Sequence, residues 1–334
     1  KLEYTKYVVS ERLCYYEPPK NKLQKTFVQE LSSSLNQKQK SINPKFFYDK
    51  KGSKLFEEIC KLPEYYLTRT EISILTQLYD KLPLHLNGDF RLVELGSGSS
   101  KKTRILLSIL ERLHKHIEYF PIDISKILKE SSTILLDDYE NLHITGIIDN
   151  YESGLEFMKN YDNKKNLIAF LGSSFGNFDY EHGLKFLQKI NSSMKKNDLF
   201  LIGLDLVKDK TVLERAYNDS QGVTAKFNLN VLSRINSELD SNFNINKFAH
   251  HAFYNEYKNR VEIYLRSLEN QTVKIHKAGM VLPIKQDELI HTENSYKYTI
   301  SKIKEIFSMS SFRIKDIWFD EKQYFCLVLL SKND

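Results

Sequence analysis

The stretch Phe90-Arg91-Leu92-Val93-Glu94-Leu95-Gly96-Ser97-Gly98-Ser99-Ser100-Lys101-Lys102-Thr103-Arg104-Ile105-Leu106-Leu107 decides the fold. Its first six residues are a short run dense in Leu and Val that stops at Gly96, and from Lys101 to Leu113 the apolar residues recur at helical spacing. That is a strand, a glycine turn and a helix. The pattern returns as IEYFPID (117–123) with a helix from Ser125, HITGII (143–148), NLIAFLG (166–172) with a helix from about Tyr180, and DLFLIGLDL (198–206). Repeated strand-helix units whose strands are apolar on both faces predict an α/β domain, a parallel sheet with helices on both sides.

After Asp205 the alternation stops. Leu213 to Leu239 reads as one long, largely polar helical region, and HHAFYNEY (250–257), RVEIYLRSL (260–268) and QTVKIHKAG (271–279) read as antiparallel strands. The chain closes with a helix (297–310) and a strand, QYFCLVLLS (323–331), that fit either sheet. On the other side, NKLQKTFVQELSSSLNQKQKS (21–41) reads as a polar amphipathic helix stopped by Asn43-Pro44. From Lys45 to Leu75 aromatics crowd around a Gly-Ser turn, a helix, Pro63 and a second helix begun near Thr68 or Thr70. Aromatics at that density mark a core or a pocket.

A length of 334 residues with 41% hydrophobic composition supports about two domains. No apolar run approaches the ~18 residues of a membrane span, and nothing in the first fifty residues reads as a secretory signal. A cytoplasmic location follows as the expectation. Cys14, Cys60 and Cys326 are widely separated, which predicts reduced structural thiols and no metal site. The charge of +6 is local, since residues 1–50 hold ten Lys/Arg against five Asp/Glu. The lysines are scattered among Ser, Asn and Gln rather than striped with aromatics, so neither nucleic acid nor membrane is an expected partner. A monomer acting on a small molecule is expected.

A glycine turn at the carboxyl end of the first strand of an open parallel sheet is where an adenosyl group or a dinucleotide meets the backbone. Here Glu94 precedes the turn, Gly96 and Gly98 keep the close approach, and the third glycine of a dinucleotide fingerprint is replaced by Lys101. Asp123 ends the next strand, where it can accept hydrogen bonds from ribose hydroxyls. The combination favours S-adenosylmethionine over a nicotinamide dinucleotide. A second glycine loop, Phe170-Leu171-Gly172-Ser173-Ser174-Phe175-Gly176-Asn177-Phe178, closes the fourth strand, at the sheet end where such folds do chemistry.

Four blocks together resemble the histidine-specific N-alpha-methyltransferases of ergothioneine biosynthesis: PKFFYDKKGSKLFEEICKLPEYYLTRTE (44–71), VELGSGSSKKTRILL (93–107), FLGSSFGNF (170–178) and IGLDLVKDKTVLERAYNDSQGVTAKFNLNVLSRIN (202–236). The similarity runs from about Pro44 to the C-terminus. It implies a Rossmann-like class I methyltransferase domain over residues 71–207. It also implies a second, α+β substrate-binding domain from residues 1–70 plus 208–334, with the substrate between them. The implied reaction is trimethylation of L-histidine by S-adenosylmethionine to hercynine.

The resemblance carries site residues one at a time. Gly96, Lys102 and Asp123 match cofactor positions, with Asp123 on the ribose, and the acid near the adenine amine falls at Asn150 or, with a shift of one residue, at Asp149. Asn177 and Tyr217 match the pair that holds the amino acid's carboxylate. Tyr48, Tyr65 and the Gly172 loop line the space around the α-amine, and Phe56 joins the aromatic walls. Glu293 and Ser295, in HTENSYKY, match the groups that grip the imidazole. Ile263 replaces a different apolar residue of the related enzymes, a change of pocket shape without a change of polarity. Other members of the family act on tryptophan-type amino acids, the alternative acceptor; an indole pocket would lack the Glu/Ser pair.

Overall fold

Fourteen strands lie among the residues that this computed structural model describes, 3–19, 21–96, 100–125 and 127–334. They are β1 (Thr5–Ser10), β2 (Leu13–Glu17), β3 (Phe90–Leu95), β4 (Ile117–Ile122), β5 (Leu142–Ile147), β6 (Lys165–Phe170), β7 (Leu199–Asp205), β8 (Phe248–Asn255), β9 (Arg260–Ser267), β10 (Gln271–Ile275), β11 (Met280–Ile284), β12 (Leu289–Tyr296), β13 (Phe312–Phe319) and β14 (Phe325–Lys332). Two compact units emerge, one from Lys1–Pro19, Leu67–Val207 and Lys297–Asp334, the other from Lys20–Tyr66 and Lys208–Tyr296.

The first unit is a nine-stranded sheet in the order β1-β2-β5-β4-β3-β6-β7-β14-β13. From β2 to β7 every pairing is parallel. All of β3 and all of β7 are buried, the signature of strands covered on both faces. The order reverses between β3 and β6, which pair with each other while their following connections run to opposite sides. A ligand crevice forms at such a switch point, outside the carboxyl ends of the strands.

The ends of the chain depart from the expected domain division. Residues 3–19 were expected in the substrate domain, but β2 pairs in parallel with β5 from Leu13↔Ile144 to Tyr16↔Ile147, which extends the large sheet. Residues 297–334 also join it. The continuous apolar run Phe325–Leu330 is buried along its whole length, and its place is antiparallel between β7 and β13. A fully buried strand needs cover on both faces, which this position supplies.

The second unit holds a three-stranded antiparallel sheet, β12-β9-β8, and the hairpin β10-β11. The helical region expected over 213–239 consists of two helices, Lys210–Tyr217 and Val223–Leu239. Asp219 causes the break: its carboxylate accepts from Val223 N (3.0 Å) and Thr224 N (2.8 Å), capping the second helix, while Gly222 takes φ +73°. No described helix is long and apolar enough to cross a membrane.

Gly203 of β7 shows how closely the first unit is packed. A Cβ there would lie 2.0 Å from Oε2 of the fully buried Glu71 and 3.0 Å from Phe325. Gly203→Ala is expected to destabilise the protein by about 1–3 kcal/mol through overpacking, read as a lowered thermal midpoint. An unchanged midpoint would mean that Glu71 does not rest on this strand.

Candidate active site

β3 delivers the first glycine turn. Gly96, at φ +92°, donates its N–H to the Ile122 carbonyl (2.8 Å), which fastens the end of β3 to the end of β4. Gly98 lies outside the described residues. Glu94 is only 2% exposed; Thr103 Oγ1 donates to its carboxyl at 2.8 Å and the Tyr119 hydroxyl donates to the same oxygen. Burial raises the Glu94 pKa to about 7, with the two hydrogen bonds and the Lys102 charge pulling the other way.

Two further acids stand at strand ends. Asp123 follows β4, donates its N–H to the Ile147 carbonyl (3.1 Å) and accepts from Ser125 N (2.9 Å). Asp149, beyond the end of β5, is largely buried and accepts from Asn150 N at 2.8 Å and from the Tyr4 hydroxyl at 2.5 Å. The Asn150 side chain is exposed and caps the helix Tyr151–Lys159 by accepting from Ser153 N (2.8 Å). Of the two adenine candidates, the carboxylate belongs to Asp149, while the Asn150 amide oxygen is engaged in capping.

Lys102 sits in the helix Ser100–Leu113, and its ammonium pairs with Glu71 Oε1 at 2.6 Å. The same oxygen accepts from Gly172 N at 2.8 Å. Gly172 (φ +77°) and Ser173 (φ +56°) are successive left-handed residues after β6, a reversal that glycine at the first position permits. The turn runs directly into Ser174–Asn177, which places Asn177 at the carboxyl end of the sheet.

The second unit gathers the remaining candidates. Tyr48 meets Phe56 edge-on at 5.6 Å, Phe56 meets Tyr65 at 6.4 Å, and Tyr65 meets Tyr217 at 6.1 Å. Phe227 closes the group, 5.6 Å from Tyr48 and 5.9 Å from Phe56. The Tyr217 hydroxyl and Ser295 Oγ share a hydrogen bond of 2.8 Å. Burial pushes the Tyr65 phenol well above its ordinary pKa, with the charges of Tyr217, Cys60, Tyr48 and Glu293 adding to it, so Glu293 acts on the same cluster.

The strand that carries Glu293 and Ser295 is irregular. β12 slips register against β9 between His291 and Glu293, and Glu293 then pairs with Ile263. This bulge shifts the alternation, so that Ile290 before it, Thr292 within it and Ser295 after it are the buried positions. Thr292 donates to Asn228 Oδ1 at 2.8 Å. Asn228 Nδ2 donates to His250 Nδ1 (2.9 Å) and to the Tyr264 carbonyl (3.0 Å), which leaves His250 Nε2–H to donate to the Tyr217 carbonyl (2.9 Å). Burial lowers the His250 pKa, which suits the neutral ring this chain requires.

Thr103, Tyr119, Phe227, Asn228 and His250 were not singled out by sequence. Thr103 falls within the block 93–107 and Phe227 and Asn228 within the block 202–236, from which they could have been found, while Tyr119 and His250 announce themselves only through hydrogen bonds to distant residues. Chemically, the first unit offers carboxylates and glycine backbone at a switch point, which fits a cationic adenosyl ligand. The second offers aromatic faces and a Glu/Ser pair, which fits an alkylated ammonium with a polar ring.

A sheet whose order reverses beside the glycine turn, with the antiparallel β14 set between β7 and β13, is that of the class I methyltransferases. The chain belongs to the histidine-specific, S-adenosylmethionine-dependent methyltransferase family, whose model matches residues 27–332. It is 36% identical to a histidine N-alpha-methyltransferase of Mycobacterium tuberculosis over 90% of this chain and 93% of that protein. It is 34% identical to that of Mycolicibacterium smegmatis over 87% and 90%. An L-tryptophan methyltransferase of Psilocybe serbica is 27% identical over 86% of this chain and 87% of its own length.

Glu94 generates a pH prediction. Its carboxyl binds a proton up to about pH 7 in the folded protein but only to about 4.5 when unfolded, so the folded state holds the extra proton between those values. Stability then falls as pH rises from about 4.5 to about 7 and levels off above, by on the order of 3 kcal/mol. Glu94→Gln removes this contribution. Thermal melts of the ligand-free protein across pH 5–8 should show a flatter profile for the variant, and identical slopes would refute the assignment.

Proposed function

We propose that this protein transfers methyl groups from S-adenosylmethionine to the α-nitrogen of L-histidine, three times over, giving hercynine for ergothioneine biosynthesis. One observation carries the choice of acceptor: Tyr217 and Ser295 are hydrogen-bonded beside an aromatic cluster, with Glu293 on the same bulged strand. The first unit serves the cofactor and the second the amino acid.

S-adenosylmethionine, when bound, supplies an electrophilic methyl on a sulfonium. Gly96 would let the backbone approach it, Asp123 would accept from the ribose hydroxyls, and Asp149 would accept from the adenine amine. Glu94, hydrogen-bonded by Tyr119 and Thr103, adds negative character that favours a cation above about pH 7, where its carboxyl is ionised.

In-line displacement needs the nitrogen lone pair, so the α-amine must react in its neutral form. Desolvation and a neighbouring positive charge both depress the pKa of an ammonium. No dedicated base is required; the residues act by positioning, which in well-oriented intramolecular systems supplies up to roughly 7–11 kcal/mol. Tyr217 holds the carboxylate, and Tyr48, 38% exposed within its cluster, orients the amine. As methyl groups replace N–H donors, the ring faces of Tyr48, Phe56 and Tyr65 take over the hold on the growing alkylammonium.

Glu293 and Ser295 grip the imidazole. A site built around a charge-assisted hydrogen bond rejects side chains that lack the donor, by orders of magnitude.

Mass spectrometry after incubation with S-adenosylmethionine and each of the twenty amino acids tests this directly. Histidine should gain three methyl masses; methylation of tryptophan or another amino acid instead would overturn the acceptor. Glu293→Ala should raise the histidine KM at least tenfold while leaving S-adenosylmethionine affinity unchanged, and an unaltered histidine KM would remove Glu293 from the site.

A further inference from the structure

The hairpin β1–β2 lies outside the residues matched by the family model, 27–332, and none of the roles above falls on it. It is nevertheless built into the large sheet beside β5, where the Ile148 N–H donates to the Tyr16 carbonyl at 2.9 Å. Just before β1, the Tyr4 ring leans on Phe157 with centroids 4.8 Å apart, and Phe157 is in turn 4.8 Å from Tyr16. The hairpin and the helix Tyr151–Lys159 thus fix the Tyr4 ring between them. Its hydroxyl donates to Asp149 Oδ2 at 2.5 Å, across 145 residues of sequence.

The other carboxylate oxygen of Asp149 already accepts from Asn150 N. With one donor on each oxygen the carboxylate plane is set, and each oxygen keeps a lone pair for a ligand. Burial and the bond to Asp149 both push the Tyr4 phenol up, so it stays a donor throughout the working pH range.

We infer that Tyr4 is a positioning residue of the S-adenosylmethionine site, holding Asp149 in the orientation in which it accepts from the cofactor's adenine amine. The inference rests on the reading of Asp149 as a cofactor contact. Its physical content is preorganisation: a carboxylate held by two donors loses less freedom when a third arrives.

The test uses the full chain, with calorimetry of S-adenosylmethionine binding and steady-state kinetics. Tyr4→Phe keeps the ring on Phe157 and deletes only the donor. It should raise both the Kd and the KM for S-adenosylmethionine about five- to tenfold, with kcat, the histidine KM and the thermal midpoint near wild type. In an Asp149→Ala background the same substitution should add nothing. If Asp149→Ala weakens cofactor binding but Tyr4→Phe does not, the inference fails and the reading of Asp149 stands. If Asp149→Ala leaves cofactor binding intact, that reading fails and the inference with it. An equal loss from Tyr4→Phe in both backgrounds would show a general packing effect and overturn the proposed role.

Discussion

A carboxylate with no exposure must find its compensation inside the protein, and Glu71 finds it at the centre of the large sheet. One oxygen holds the Lys102 ammonium and the Gly172 N–H; the other rests over Gly203 and has no hydrogen-bond partner among the described residues. Lys102 belongs to the helix after β3, Gly172 to the turn after β6 and Gly203 to β7. One side chain therefore ties together the segments that leave the sheet on either side of its switch point. Removing either charge of such a pair strands the other in a medium of low dielectric, at a cost of about 3–5 kcal/mol. A second buried pair, Lys297 with Asp205 at 2.8 Å, joins the end of β7 to the chain that returns toward β13 and β14.

With Lys102 neutralised in this way, the carboxyl edge of the sheet is left with an acidic character from Glu94, Asp123 and Asp149. Glu94 is the last residue but one of β3, and Asp123 and Asp149 follow β4 and β5 by one and two residues. Their spacing comes from the parallel register, in which Gly96 bonds to Ile122 and Asp123 to Ile147. The sheet itself sets the acids in a row, and a cation carrying an adenosyl group is the ligand that such a row suits.

Much of this was legible in sequence, and the failures have physical causes. β3, β6 and β7 are buried along most or all of their length, so their apolar runs were plain. β1 is exposed at all six positions and shows no alternation to read. β14 was recognised as a strand, but a continuous apolar run does not distinguish parallel from antiparallel neighbours. The break at Asp219 was hidden because one carboxylate capping two backbone groups leaves helical periodicity intact on either side. Glu293 and Ser295 were visible only through family resemblance, since the bulge that orients them is a property of the pairing with β9 rather than of the residues. His250 and Asn228 looked like ordinary polar residues because their significance lies in a relay of hydrogen bonds between separate elements.

The outermost strand raises a different matter. β1 forms one border of the nine-stranded sheet and displays Val8 and Val9 at 70% and 61% exposure beside Tyr7. A long flat border with apolar side chains invites stacking of one molecule on the next. Here the register slips between Val8 and Ser10, which twists the end of the strand, and Lys6 places a charge near its start. These are the usual devices by which a sheet avoids templating its own aggregation.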